Sequence, residues 1–143
     1  MPHSMTIPLW VMLGFAGWTL AVLMGSIGVY RWSRILTGRA AMAGWRADGT
    51  EGSQWYQRAT RAHLNCVENL PVYSAVALAA ALAGVGGREL DALAVTFLAA
   101  RIGQSLVHIT RPQTEPVAAL RFGLYFAQVV CVVSMGVLVA LRA

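Results

Sequence analysis

The sequence contains no lysine and few charged residues of any kind. Charged residues make up 12% of the 143 residues, whereas hydrophobic residues make up 57%. A typical soluble domain is about 25% charged, and a soluble chain this short needs polar side chains to cover its surface. The shortage of charge therefore excludes an ordinary soluble domain and indicates a protein that resides in a membrane.

Acidic residues are also scarce. Six Asp and Glu face 11 basic residues, all of them arginine, so the net charge is +5. A nucleic-acid partner would need these charges on a solvated face, but many of them lie beside or inside apolar runs, so no nucleic-acid partner is expected. Arginine suits the recognition of a buried anion, because its guanidinium stays charged and offers a planar fork of donors.

Cysteine and histidine give no sign of a metal site or of a disulfide framework. The two cysteines, Cys66 and Cys131, both lie inside apolar segments. The three histidines, like the cysteines, show none of the spacings typical of metal ligands. We therefore expect no metal, and we interpret the cysteines as small packing residues.

Four apolar segments divide the chain. They cover about residues 7–30, 62–83, 90–109 and 117–141, and each is close to the roughly 20 residues that cross a hydrocarbon core. The sequence therefore predicts an all-α fold, a single domain over residues 1–143 that forms an integral membrane four-helix bundle.

The arginines predict the orientation of the bundle. Five of them lie in the first connection, residues 31–58, and another lies in the third, whereas the N-terminal tail has none. The positive-inside rule places both connections in the cytoplasm and both termini on the other side, although Arg142 opposes this. The arginine-only, alanine-rich composition favours a bacterial, multi-pass inner-membrane protein. The first connection is long enough to be functional, but it could also be a flexible tether.

Polar residues interrupt the last three apolar segments at a similar depth. At about 100° per residue, each segment carries its polar side chains on one face: Arg61, Asn65, Glu68 and Asn69; Arg101, Gln104, Ser105 and His108; and Arg121, Tyr125 and Gln128. Ionisable groups at such depth are costly unless they are paired or hydrated. The three clusters are therefore expected to meet in the cytoplasmic half of the bundle.

Two interpretations of these clusters stay open. The polar side chains could simply hold the helices together, with Glu68 pairing with Arg101. Alternatively, they could form a ligand site. The second interpretation is favoured because three arginines, at positions 61, 101 and 121, face one carboxylate. An excess of buried positive charge requires an anion.

The same residues carry a family resemblance. The segment from Arg61 to Pro71, RAHLNCVENLP, closely resembles the second-helix motif of the MAPEG superfamily, the membrane-associated proteins of eicosanoid and glutathione metabolism. Weaker matches follow at Ala100–Ile102 with Gln104 and His108, and at Arg121 with Tyr125, Gln128 and 134–135. The resemblance spans about residues 15–140 and looks nearest to the microsomal glutathione transferases.

This resemblance implies a homotrimer that binds glutathione between neighbouring subunits, near the cytoplasmic face. Arg121 matches the arginine that stabilises the glutathione thiolate, and Arg31 or Arg34 would reach the peptide from the first helix. The implied glutathione site also includes Arg61, Asn65, Glu68, Gln104, His108, Tyr125 and Gln128. Lipid, and a hydrophobic electrophile or lipid peroxide, would be the other partners.

The sequence departs from the family pattern in three places. Gln104 stands where many members have histidine, His108 where many have tyrosine, and Phe122 where the prostaglandin-forming branch has serine. These departures argue against prostaglandin or leukotriene synthesis. The leading hypothesis is a glutathione-dependent transferase, with peroxide reduction as a second activity. The alternative is a non-catalytic lipid-binding or scaffold protein of the same fold, and the natural thiol is left open.

Overall fold

Helices are the only regular secondary structure in the described part of the chain. A computed structural model describes residues 4–46 and 50–143, which contain no strand. It has four helices, here called α1 (Ile7–Leu36), α2 (Gln54–Leu82), α3 (Arg88–Thr110) and α4 (Glu115–Arg142). Helix α1 includes a π-helical segment over Leu23–Gly28, where Ser26 Oγ donates a hydrogen bond to Val22 O. The prediction of an all-α chain with four helices is confirmed.

The first two helices extend beyond the apolar segments that predicted them. Helix α1 continues past residue 30 to Leu36, and α2 begins at Gln54 rather than near residue 62. Ser53 caps α2, because its Oγ accepts a hydrogen bond from Tyr56 N at 3.2 Å. The connection therefore covers residues 37–53 instead of 31–58. Hydropathy marks the membrane-embedded part of a helix and misses polar turns at its ends.

Three of the four helices are long and apolar enough to cross a membrane. These are α1, α3 and α4. Helix α2 is equally long, but its polar residues lower its mean hydropathy. Of the four helices, α2 is thus the one whose hydropathy is lowered most by polar side chains. This suits a helix that lines a polar site inside a bundle.

An aromatic core joins α1, α2 and α3. Phe15, Tyr73 and Phe97 are all buried, with ring centroids 5.4 Å apart for Phe15–Phe97 and 4.5 Å for Tyr73–Phe97. The Tyr73 hydroxyl donates a hydrogen bond to Pro8 O at 3.1 Å, so its polar atom is satisfied. Helix α4 packs mainly on α3 and much less on α2. A groove therefore runs between α2 and α4, with α3 as its floor.

A second aromatic cluster lies at the end of the bundle that carries the α1–α2 and α3–α4 connections, which we call the arginine-rich end. Tyr30 and Tyr56 stack there with centroids 4.4 Å apart, and Trp45 packs against both rings. Ser53 N donates to the Tyr30 hydroxyl at 3.1 Å. These contacts hold the described parts of the α1–α2 connection against the helices.

Gly52 is required by this packing. Its φ is +84°, and an added Cβ would lie 2.8 Å from Tyr56 Cδ1. Gly38 has a similar φ of +70° but open space around it. We predict that Gly52→Ala lowers the free energy of unfolding by about 1–3 kcal/mol more than Gly38→Ala, because only position 52 adds a steric clash to backbone strain. Thermal unfolding in detergent measures this difference, and equal losses would contradict the packing role.

Candidate functional site in the groove between α2 and α4

A polar cavity occupies the middle of the groove and is called here the inner cavity. Its volume is about 300 Å³, and each of the helices α2, α3 and α4 contributes to its walls. The lining residues are Asn65, Gln104, Gln113, Ala118, Arg121, Phe122 and Tyr125. The cavity thus brings together one predicted residue from α2, one from α3 and two from α4.

A second cavity, the outer cavity, lies beside it at the arginine-rich end. It measures about 360 Å³ and is lined by Gln54, Gln57, Arg58, Arg61, Pro112 and Gln113. The two linings share Gln113. The outer cavity is therefore the polar neighbour of the inner one, with two arginines in its wall.

A third cavity, the deep cavity, continues the row toward the middle of the bundle. It measures about 190 Å³ and shares Tyr125 with the inner cavity. Its other lining residues are largely apolar: Asn69, Val72, Phe97, Gln128, Val129, Val132 and Val133. The groove therefore changes from cationic at the arginine-rich end to apolar at depth.

Helical spacing explains which α2 residues reach the groove. Asn65 and Asn69 are four residues apart and so lie on one face, and they line the inner and deep cavities. Glu68 lies about 60° around the helix from Asn65, on the side away from Asn69. It is exposed and lines none of the three cavities. Helix α4 shows the same spacing at Arg121, Tyr125 and Gln128.

Hydrogen bonds fix the wall formed by α3 and α4. Gln104 Nε2 donates to Arg121 O at 3.3 Å, and Gln128 Nε2 donates to Gln104 Oε1 at 3.1 Å and to Leu124 O at 2.9 Å. Backbone carbonyls can only accept, so they determine which way both amides point. The hydrogen bonds of Gln104 and Gln128 therefore link α3 to α4.

Arg121 has donor capacity left over. Its Nη1 donates to Gln113 Oε1 at 3.1 Å, while its Nε is buried and has no hydrogen-bond partner. Gln128 Oε1 is likewise buried without a donor. A buried polar atom without a partner costs free energy. Both atoms belong to residues that line the cavities, as expected where a ligand or water completes the hydrogen bonding.

The charged side chains that the described residues contribute to the groove are all positive. Arg58, Arg61 and Arg121 line the outer and inner cavities, and no Asp or Glu among the described residues lines any of the three. Opposite charges attract more strongly where protein and lipid exclude water. The groove therefore has the composition of a site for an anion.

Arg101 does not join this site. It is only 1% exposed, its guanidinium carbon lies 5.7 Å from the centre of the Phe15 ring, and it lines none of the three cavities. The proposed pairing with Glu68 is wrong, since the described residues contain no such ion pair and Glu68 is exposed. Arg101 points toward α1, where its Nε and Nη2 have no hydrogen-bond partner.

Three other predicted site residues also lie outside the cavities. Arg31 Nε donates to the Tyr56 hydroxyl at 2.7 Å, and the Arg34 guanidinium lies over the Tyr30 ring at 5.5 Å. Both belong to the aromatic cluster at the arginine-rich end. His108 is 3% exposed, and neither ring nitrogen has a hydrogen-bond partner. A single chain thus gathers six of the ten predicted residues: Arg61, Asn65, Gln104, Arg121, Tyr125 and Gln128.

Arg58 and Gln113 line the cavities but are not among the residues that the sequence predicts for the site. The apolar pattern predicts that the second helix begins near residue 62, which places Arg58 in a connection. Ser53 as an N-cap, followed by the helical spacing of Gln57, Arg58 and Arg61, could have revealed it. Gln113 lies in an irregular connection, whose path no periodicity predicts.

The burial of Arg101 without an acidic partner among the described residues gives a stability prediction. A buried charge without an ionic partner is costly, and apolar replacements of such groups are often neutral or stabilising. We therefore expect Arg101→Met to keep the free energy of unfolding or to raise it by up to about 3 kcal/mol. The midpoint of thermal unfolding in detergent measures this change. A loss of stability larger than that of Arg142→Met, at the other end of the bundle, would show that Arg101 has a stabilising partner.

Comparison with known proteins agrees with the fold and the motif. Residues 7–141 match the model of the MAPEG family. Neither the curated proteins nor the solved structures gave a match. The matched region contains all four helices except the last residue of α4, together with the whole groove. The chain is an integral membrane protein and belongs to the MAPEG family.

Proposed function

We propose that the protein is a glutathione-dependent membrane transferase, similar to the microsomal glutathione transferases, that activates the thiol in the groove between α2 and α4. The observation that carries this proposal is the charge of the groove. Three arginines line the neighbouring outer and inner cavities, and no carboxylate among the described lining residues neutralises them. MAPEG membership adds support.

Glutathione has a charge that suits this groove. It carries two carboxylates and one ammonium, so its net charge is negative. The two cavities measure about 300 and 360 Å³, near the lower end of the usual range for ligand pockets, and meet at Gln113. In this arrangement a carboxylate lies beside Arg58 and Arg61 in the outer cavity, and the thiol lies beside Arg121 in the inner cavity.

Arg121 would act on the thiol by electrostatics. A nearby guanidinium stabilises the thiolate and lowers the pKa of the thiol. The proton leaves to water through the outer cavity. With an aryl halide, the thiolate attacks the ring carbon, a carbon–sulfur bond forms, and the carbon–halogen bond breaks with release of halide. Arg121 is the residue that we assign to catalysis, because among the described lining residues of the inner cavity it is the one that carries a positive charge.

The deep cavity suits a lipophilic second substrate. Its wall is largely valine and phenylalanine, and Tyr125 joins it to the inner cavity. Such a substrate would enter from the bilayer and meet the thiolate near Tyr125. A lipid peroxide would take the same position. The thiolate would then attack the O–O bond to give an alcohol and a sulfenic acid, and a second glutathione would convert the sulfenic acid to the disulfide and water.

A homotrimer is part of this proposal. Arg31, Arg34 and Glu68 lie outside the groove of their own chain, so they could meet the ligand only across an interface between subunits. The exposed large apolar residues of α4, including Phe122, Phe126 and Val133, offer a surface for lipid or for a neighbouring subunit. Glu68 of a neighbour would supply the carboxylate that the glutathione ammonium requires.

We predict that Arg121→Ala lowers kcat for an aryl halide about a hundredfold, the scale seen when one group that stabilises developing charge is removed. The matched control is Arg142→Ala, which removes an arginine that pairs with Glu89 at the opposite end of the bundle. This control should keep the wild-type kcat and the wild-type affinity for glutathione. Turnover and isothermal titration of the detergent-solubilised protein measure both quantities.

Two results would contradict the proposal. One is a wild-type protein that gives no binding heat with glutathione. The other is an Arg121→Ala variant that turns over as fast as Arg142→Ala. A protein that binds lipid but neither binds glutathione nor turns over the halide would instead be a non-catalytic member of the family.

A further inference from the structure

Gln113 occupies a singular position in the groove. It lies in the short connection between α3 and α4, and it lines both the outer and the inner cavity. Its Oε1 accepts a hydrogen bond from Arg121 Nη1 at 3.1 Å. One side chain therefore contributes to both cavities and contacts the guanidinium that we assign to catalysis.

The contact depends on the path of the connection rather than on helical spacing. Gln113 and Arg121 are eight residues apart, and Gln113 precedes the first turn of α4. The backbone is extended at Arg111 and at Thr114, with φ, ψ values of −108°, 137° and −124°, 164°. This extended stretch brings Gln113 back over the start of α4, to the level of Arg121.

An amide at this position has a specific chemical consequence. A neutral oxygen can hold a guanidinium in place without neutralising it, whereas a carboxylate would form an ion pair and weaken its effect on any other anion. Glu115 is only two residues away, but within the described residues it forms no ion pair with Arg121. The guanidinium of Arg121 is therefore held in place, and its charge can still act on a bound anion.

We infer that Gln113 is a positioning residue for Arg121, holding the guanidinium at the boundary between the two cavities so that it meets the thiolate of a bound thiol peptide. This inference rests on the proposed function. Gln113 acts through Arg121. Its side chain lies beside the part of the bound peptide that connects the outer cavity to the inner cavity. It also fixes the distance between the subsite for the carboxylate and the subsite for the thiol.

Two replacements of similar length distinguish the loss of the hydrogen-bond acceptor at position 113 from a change in the charge of that residue. Gln113→Met removes the acceptor, and Gln113→Glu replaces it with a carboxylate. Thr114→Ala is the matched control, because Thr114 lies next in the connection and its side chain makes no capping hydrogen bond. Gln113 is exposed, so neither replacement disturbs the core. The readouts are kcat and KM for the aryl halide, and the pKa of bound glutathione from thiolate absorbance.

The two variants should differ in a defined way. In Gln113→Met, kcat should fall about tenfold, the effect of losing one charge-assisted hydrogen bond, while KM for the halide stays the same. The pKa of bound glutathione should rise. In Gln113→Glu, the pKa should rise further and glutathione should bind more weakly, because the carboxylate competes for Arg121. Thr114→Ala should match the wild type in every readout.

Wild-type levels of kcat and thiol pKa in Gln113→Met would overturn the inference and leave the proposed function intact. A rise in pKa that is equal in Gln113→Met and Gln113→Glu would also overturn it, because the charge of residue 113 would then have no effect on Arg121. A wild-type protein that binds no glutathione would instead overturn the proposed function, and the inference would fall with it.

Discussion

A guanidinium placed in a hydrophobic bundle needs something to offset the loss of its hydration, and this requirement governs the polar half of the molecule. Ionised groups are costly in low dielectric unless they are paired, hydrogen-bonded or hydrated. The arginines at and beside the groove meet the requirement in two ways, whereas Arg101 stays buried against Phe15 with two nitrogens that have no hydrogen-bond partner. Arg31 uses an internal partner, the hydroxyl of Tyr56. Arg58 and Arg121 donate to neutral oxygens, and together with Arg61 they line cavities to which the described residues contribute no acidic side chain. Their charge is therefore left for a ligand.

The arrangement of the helices leaves a groove in which these arginines can meet a ligand. The aromatic core of Phe15, Tyr73 and Phe97 joins the first three helices, and α4 packs mainly on α3, so a groove stays open between α2 and α4. The amides of Gln104 and Gln128 fix the wall of that groove. The groove then runs from cationic to apolar, a gradient suited to a reaction between an anionic thiol and a lipophilic partner.

The sequence predicted the number and type of helices and six of the residues that line the groove, because membrane hydropathy and helical spacing both depend on local order. It could not predict features that depend on tertiary packing. The polar turns at the ends of α1 and α2 carry no hydropathy signal, so the helix bounds were too short. The orientation of Arg101 toward α1, rather than toward Glu68, is decided by its packing against Phe15. The position of Gln113 in the groove could not be predicted, because the path of an irregular connection leaves no periodic pattern in the sequence. Arg31, Arg34 and Glu68 stay predictions for a site that includes a neighbouring subunit.

A cryo-electron microscopy structure of the protein with glutathione in lipid nanodiscs would show whether the arginines of the groove bind an anionic thiol peptide. We expect density for the peptide along the α2–α4 groove, with a carboxylate near Arg58 and Arg61 and the sulfur beside Arg121. A structure in which these arginines pair with acidic residues of a neighbouring subunit, or with lipid phosphates, while glutathione is absent from the groove, would contradict an anion site in the groove.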